Sequence, residues 1–123
     1  MKRWISALIA GGFISLGLYG AALAGVYEDG QKAYEQGDYA TALQLWRPLA
    51  EQGDARSQHM LGLAYGLGHG VPRDYATAVR WYRLAADQGM VAAAADLGAM
   101  YANGDGVPQD YAEALKWWRR AVN

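Results

Sequence analysis

Cysteine is absent from the whole chain. That removes a disulfide framework, a thiolate nucleophile and a cysteine metal site together. Hydroxyl nucleophiles are nearly as scarce: beyond residue 24 the only serine is Ser57, and the only threonines are Thr41 and Thr77. Ser57 and His59 stand two apart in a stretch that reads as helix, where such side chains do not face each other. No SxxK serine-hydrolase motif occurs, so no catalytic residue is expected. Histidine is limited to His59 and His69, too few to hold a metal without clustered thiols or carboxylates. Asn103-Gly104-Asp105-Gly106 has the Gly–Asp alternation of a calcium loop but lacks the bidentate glutamate of an EF-hand. The glycine-rich loops lack the GK[ST] ending of a phosphate-binding loop. Neither a cofactor nor a metal is expected. Excess positive charge is missing too, since the net charge is −1. That is the wrong sign for a nucleic-acid partner.

The amino terminus reads as a targeting segment. Lys2 and Arg3 precede an uncharged run from Trp4 to Ala24 that closes on Ala22-Leu23-Ala24. A basic start, an apolar stretch and a small-residue site predict a signal peptide over residues 1–24, cut before Gly25. The alternative is an uncleaved membrane anchor, for which the run is long enough. Gly11, Gly12, Gly17 and Gly20 thin its hydrophobicity and favour cleavage. No cysteine follows to carry a lipid. The mature chain then spans residues 25–123, exported to the periplasm or secreted, with no membrane contact. Losing two basic residues takes its charge to −3, and packing alone must hold it together.

What is present in quantity is repetition. The stretch GHGVPRDYATAVRWY (68–82) returns as GDGVPQDYAEALKWW (104–118), identical at nine of fifteen positions. Gly53 and Gly89, Gly62 and Gly98, Pro72 and Pro108, and Trp81 and Trp117 all differ by 36. Another step back reaches Asp38, Tyr39, Ala42 and Trp46, in a first unit with a shorter connection, Gln36-Gly37. Each unit reads as two helices. Asp38, Asp74 and Asp110 stand where an N-cap must accept a backbone N–H, and Glu113 after Asp110 completes a capping-box pattern. Pro72 and Pro108 stiffen the entry to the second helix, while Pro48 falls inside one and predicts a kink. Ala78, Trp81, Tyr82 and Ala85 follow the spacing of one buried face, as do Ala114, Trp117, Trp118 and Ala121. Gly68, Gly70, Gly104 and Gly106 are expected to supply positive φ in the loop. The recurrent Gly62 and Gly98, each costing about 1 kcal/mol against Ala in a helix, predict a close approach by another helix backbone. Met90 stands where Asp54 stood, so that helix is expected to lose its side-chain cap.

LGLAYGLGHGV, then D-Y-A-x-A, then W-Y-x-x-A-A-x-Q-G resembles the Sel-one-like repeat, a relative of the tetratricopeptide repeat. Leu61, Gly62, Tyr65, Gly68, Gly70, Val71, Ala78, Trp81, Tyr82, Ala85, Ala86 and Gly89 match its pattern. So do Leu97, Gly98, Tyr101, Gly104, Gly106, Val107, Ala114, Trp117 and Ala121. The resemblance implies an all-α fold, a right-handed α-solenoid of about two and a half hairpins with units near 25–53, 54–89 and 90–123. It also implies a non-enzymatic adaptor that brings proteins together. The activity described for cysteine-rich members, penicillin binding or β-lactamase-like hydrolysis, does not carry over to a chain without cysteine or a serine motif.

Two surfaces follow. First helices of a solenoid usually line the concave, partner-binding side. That places Arg56, His59, Met60 and Leu63, with Ala92, Ala95, Asp96 and Ala99, on the expected binding face for a protein or peptide. The second surface is the last helix, where Trp117 and Trp118 are expected to lie uncovered and to favour self-association into a homo-oligomer. The recurring cations, Arg80 and Arg83 matching Lys116 and Arg119 with Arg120 alongside, read as complements of the helix dipole rather than as an anion site.

Overall fold

The computed structural model describes residues 25–123; the expected signal segment, residues 1–24, lies outside the described residues. Six helices follow one another there: α1 Val26–Glu35, α2 Tyr39–Glu51, α3 Ala55–Leu67, α4 Tyr75–Asp87, α5 Val91–Asn103 and α6 Tyr111–Val122. Consecutive helices pack on one another from α1 to α6, so the chain is a stack of three hairpins: α1–α2, α3–α4 and α5–α6. The expected two and a half hairpins become three. The first is complete, shortened only in α1 and in its turn.

The connections are of two kinds. At Gln36-Gly37-Asp38 and Gln52-Gly53-Asp54, glycine takes positive φ and the next backbone N–H reaches back five residues, Asp38 to Ala33 and Asp54 to Leu49. This Schellman closure ends one helix, and the same aspartate opens the next by accepting from Thr41 or Ser57. The long loops of the second and third hairpins start on the left-handed Gly68 and Gly104. They end on Asp74 and Asp110, whose side chains accept from Thr77 and Glu113. The Asp110 N–H already donates to Tyr101, so Glu113 makes no return bond and pairs with Lys116 at 3.1 Å instead. Met90 makes no side-chain cap; it packs against the core. α2 continues through Pro48 to Glu51. Pro48 and Gln44 lie on its exposed side, where the carbonyl deprived of a partner can meet water.

Two apolar clusters form the core. One joins Ala42, Leu43, Trp46, Leu49 and Ala50 to Leu61 and Ala64; the other joins Ala78, Val79, Tyr82, Ala85 and Ala86 to Ala93, Ala94, Leu97 and Trp117. On α4 the buried residues therefore include Val79 and Ala86, while Trp81 of the expected face is only partly covered. Gly62 and Gly98 do serve close packing, but against a ring rather than a helix backbone. A Cβ on Gly62 would lie 2.6 Å from the Tyr82 ring, and one on Gly98 would overlap Trp118 as one on Gly30 would overlap Trp46. Each first helix thus opens a notch for the aromatic of its own second helix. The indole N–H of Trp46 donates to the Tyr27 carbonyl and that of Trp118 to the Ala95 carbonyl, both three residues before the notch glycine.

Candidate interaction surface on the first helices

The expected binding residues lie on α3 and α5, and the fold uses several of them to join its own hairpins. His59 Nε2 meets the Asp96 carboxylate at 2.7 Å, bridging α3 and α5. Only 15% of the His59 side chain is exposed, and its ring lies 5.7 Å from that of Tyr82. Burial pushes the Tyr82 phenol above the usual tyrosine range, and the Asp96 carboxylate adds to the rise. Arg56 reaches back to Glu28 on α1 at 3.3 Å and lies 4.2 Å over the Tyr27 ring. An exposed ion pair adds little stability, roughly 0–1 kcal/mol, so this contact mainly fixes where the guanidinium sits. Met60 packs against the first core cluster. Ala92 is exposed; Leu63, Ala95 and Ala99 are half-buried.

What stays open on this side is largely apolar. Leu63 and Ala99 occupy the same repeat position, and Leu67, 55% exposed, extends the patch at the end of α3. Leu67 was not among the expected residues. Its counterpart is Asn103, so the apolar character does not recur and periodicity does not flag it.

The residues weighed for chemistry have structural partners. Ser57 is fully buried and donates from Oγ to the capping Asp54 at 2.5 Å, while His59 is engaged with Asp96. His69 is not the solvated loop residue that its replacement by Asp105 suggests. It stacks on Tyr39 at 4.3 Å, with the planes 7° apart, and shares a hydrogen bond with Tyr34 Oη at 2.5 Å. Among the described residues, no group of three or more His, Asp or Glu is placed to hold a metal, and no helix is long and apolar enough to cross a membrane.

At the far end the expectation for Trp117 is corrected. It is 8% exposed and belongs to the core, with Arg120 lying 4.4 Å over its ring and donating to the Ala86 carbonyl. Its indole N–H is buried with no partner among the described residues. Trp118 is the exposed one, at 39%.

The Sel1 repeat model matches three times, over residues 16–54, 55–90 and 91–123. The chain belongs to the Sel1 repeat family. Sel1 repeat proteins are generally protein-interaction modules, and the fold is typically non-catalytic. The chain is similar, at 42% identity and a TM-score of 0.75, to c5321, a protective antigen of uropathogenic Escherichia coli displaying an SLR fold. It is also similar, at 36% identity and a TM-score of 0.74, to a Sel1 repeat protein from Oxalobacter formigenes. Each match covers 81% of this chain but only 22% and 43% of those longer chains. A search of curated proteins gives no match.

Proposed function

We propose that this Sel1 repeat protein is an exported, non-catalytic adaptor that binds a protein or peptide through the exposed face of α3 and α5. The observation that carries the reading is a division of labour on that face. Arg56, His59 and Asp96 are engaged in pairs between hairpins, while Leu63, Leu67, Ala92 and Ala99 lie at least partly open to solvent. Small and aliphatic side chains on rigid helices suit an apolar segment of a partner, because contact removes their surface from water with little ordering cost. Ser57, held in a helix cap, is poorly placed as a nucleophile. Self-association through Trp117 and Trp118 has weaker support, because Trp117 lies inside the core.

The test is a pull-down from the exported fraction with the mature protein and with a Leu63→Asp, Ala99→Asp double variant, each checked for helicity. A specific partner captured by the first and lost by the second supports the reading. Equal capture by both moves the binding surface elsewhere. His59 is left intact, because an aspartate there would face Asp96 and unfold the junction instead of testing the surface.

A further inference from the structure

The middle hairpin presents an apolar stripe with carboxylates on both sides of it. With the notch glycines Gly30, Gly62 and Gly98 in register, Met60, Leu63 and Leu67 on α3 stand at the repeat positions of Glu28, Gln31 and Glu35 on α1. On α5 the same positions hold Asp96, Ala99 and Asn103. The α3 residues recur at i, i+3 and i+7, one line about 10 Å long on a helix. Met60 and Leu63 are half-buried and Leu67 is 55% exposed. α3 packs on α2 and α4, and Leu63 and Leu67 belong to neither core cluster. They lie on its remaining side, which is not a surface for stacking hairpins.

The bordering carboxylates keep negative charge to offer. Glu28 and Asp54 share one guanidinium, that of Arg56, at 3.3 and 3.4 Å, so this corner stays net negative. Asp96 gives Oδ2 to His59 and is still 43% exposed. Glu35 is exposed and has no ion-pair partner among the described residues. The two layers of the solenoid differ in sign as well. First helices hold four carboxylates (Glu28, Asp29, Glu35 and Asp96) against two cations (Lys32 and Arg56), whereas second helices hold six cations against three carboxylates. A field of one sign over an apolar stripe attracts a segment of opposite charge and turns away one of like charge.

We infer that the α3–α5 face receives a basic amphipathic segment of a partner protein. Its aliphatic side chains seat on Leu63 and Leu67, and its Lys or Arg side chains on either side meet Glu28, Glu35 and Asp96. The inference rests on the docking role proposed above for this face and adds the chemistry of the partner. A second copy of this chain is poorly equipped to be that partner. On its basic second helices Arg47 and Arg83 already donate to tyrosines, Lys116 to Glu113 and Arg120 to the Ala86 carbonyl.

The probes are labelled helical peptides with leucines at i, i+3 and i+7, flanked by lysine, by glutamine or by glutamate, and a scrambled form of the lysine peptide. Binding to the protein is followed by fluorescence anisotropy at low and high salt. The lysine peptide is expected to bind about tenfold more tightly than the glutamine peptide at low salt, an advantage that salt erodes, and the glutamate peptide not to bind. Glu35→Gln with Asp96→Asn, which keeps an oxygen for His59, should remove most of that advantage, whereas Glu51→Gln on α2 should not. Leu63→Asn should weaken both the lysine and the glutamine peptides. Equal binding of those two, lost in Leu63→Asn, would leave the docking face standing and overturn the basic partner. Lysine-peptide binding that the scrambled form matches, or that Leu63→Asn leaves unchanged, would show general charge attraction and overturn the inference. So would no binding by any peptide, with the pull-down then deciding the docking role separately. A concentration-dependent dimer that the lysine peptide disperses would make a second copy the occupant and overturn it too.

Discussion

Gly62 and Gly98 occupy the same repeat position, and their surroundings assign them different tolerances. Both glycines cost helix propensity, about 1 kcal/mol relative to alanine, so alanine would be stabilising if space allowed. At Gly62 the new methyl meets the Tyr82 ring, which is 4% exposed and hemmed in by α5. Moving it disturbs the core, at a cost of about 1–3 kcal/mol. At Gly98 the ring is Trp118, with open solvent beside it, so it can tilt away with the loss of one hydrogen bond to Ala95. Gly62→Ala is expected to lower the urea midpoint clearly, and Gly98→Ala to leave it nearly unchanged. Equal losses would mean that Trp118 is held as firmly as Tyr82.

The helices owe their ends to local chemistry, and the aspartate caps are not equivalent. Asp74 is exposed and accepts from the Thr77 backbone and hydroxyl; those hydrogen bonds hold its carboxyl below the usual range, the side-chain bond first. Asp54 does the same for Ser57, but the Ser57 hydroxyl is fully buried. Removing Asp54 therefore leaves a buried donor without its acceptor in addition to a frayed terminus. Asp54→Ala is expected to cost about 2 kcal/mol and Asp74→Ala less, measured by urea unfolding at neutral pH. The reverse order would show that Ser57 finds another acceptor. Exchange of the cap for Met90 in the third hairpin follows the same logic, since an apolar contact with the second core cluster replaces one hydrogen bond.

Across the whole molecule the three hairpins are tied by contacts too numerous to separate. Gln88 donates to both the Gly53 carbonyl and the Gln58 amide oxygen at 2.9 Å, and Gln58 donates in turn to the Ala50 carbonyl at 3.0 Å. This chain of amides threads α2, α3 and the end of α4, where a lost partner would strand a buried polar group. With His59–Asp96 and the hydrogen bonds from Arg47 to Tyr65 and from Arg83 to Tyr101, it couples each hairpin to its neighbour. Nearest-neighbour coupling of this kind makes a short solenoid unfold as a unit. Urea transitions followed by tryptophan emission and by helical circular dichroism are expected to coincide. A separate early phase in either signal would show that a terminal hairpin melts alone.

Much of this fold was legible from residues close in sequence. The 36-residue period, the paired helices of the second and third units, the Gly–Asp junctions and the left-handed loop glycines rest on hydrogen bonds within a few residues, which local sequence controls. The surfaces were less legible, because they depend on where superposed hairpins come to rest. Repeat alignment sets His59 opposite Ala95, yet the solenoid brings it to Asp96, 37 residues away. It equates His69 with Asp105, yet the solenoid stacks the imidazole on Tyr39 and hydrogen-bonds it to Tyr34, both of the preceding hairpin. Helical spacing groups Trp117 with Trp118, and packing buries the first while leaving the second partly open. A period counts residues along the chain, whereas contact between neighbouring hairpins depends on their rotation and translation. The sequence by itself therefore determined the family, the repeat and its caps. Only the tertiary structure decided which side chains join the hairpins and which stay free to meet a partner.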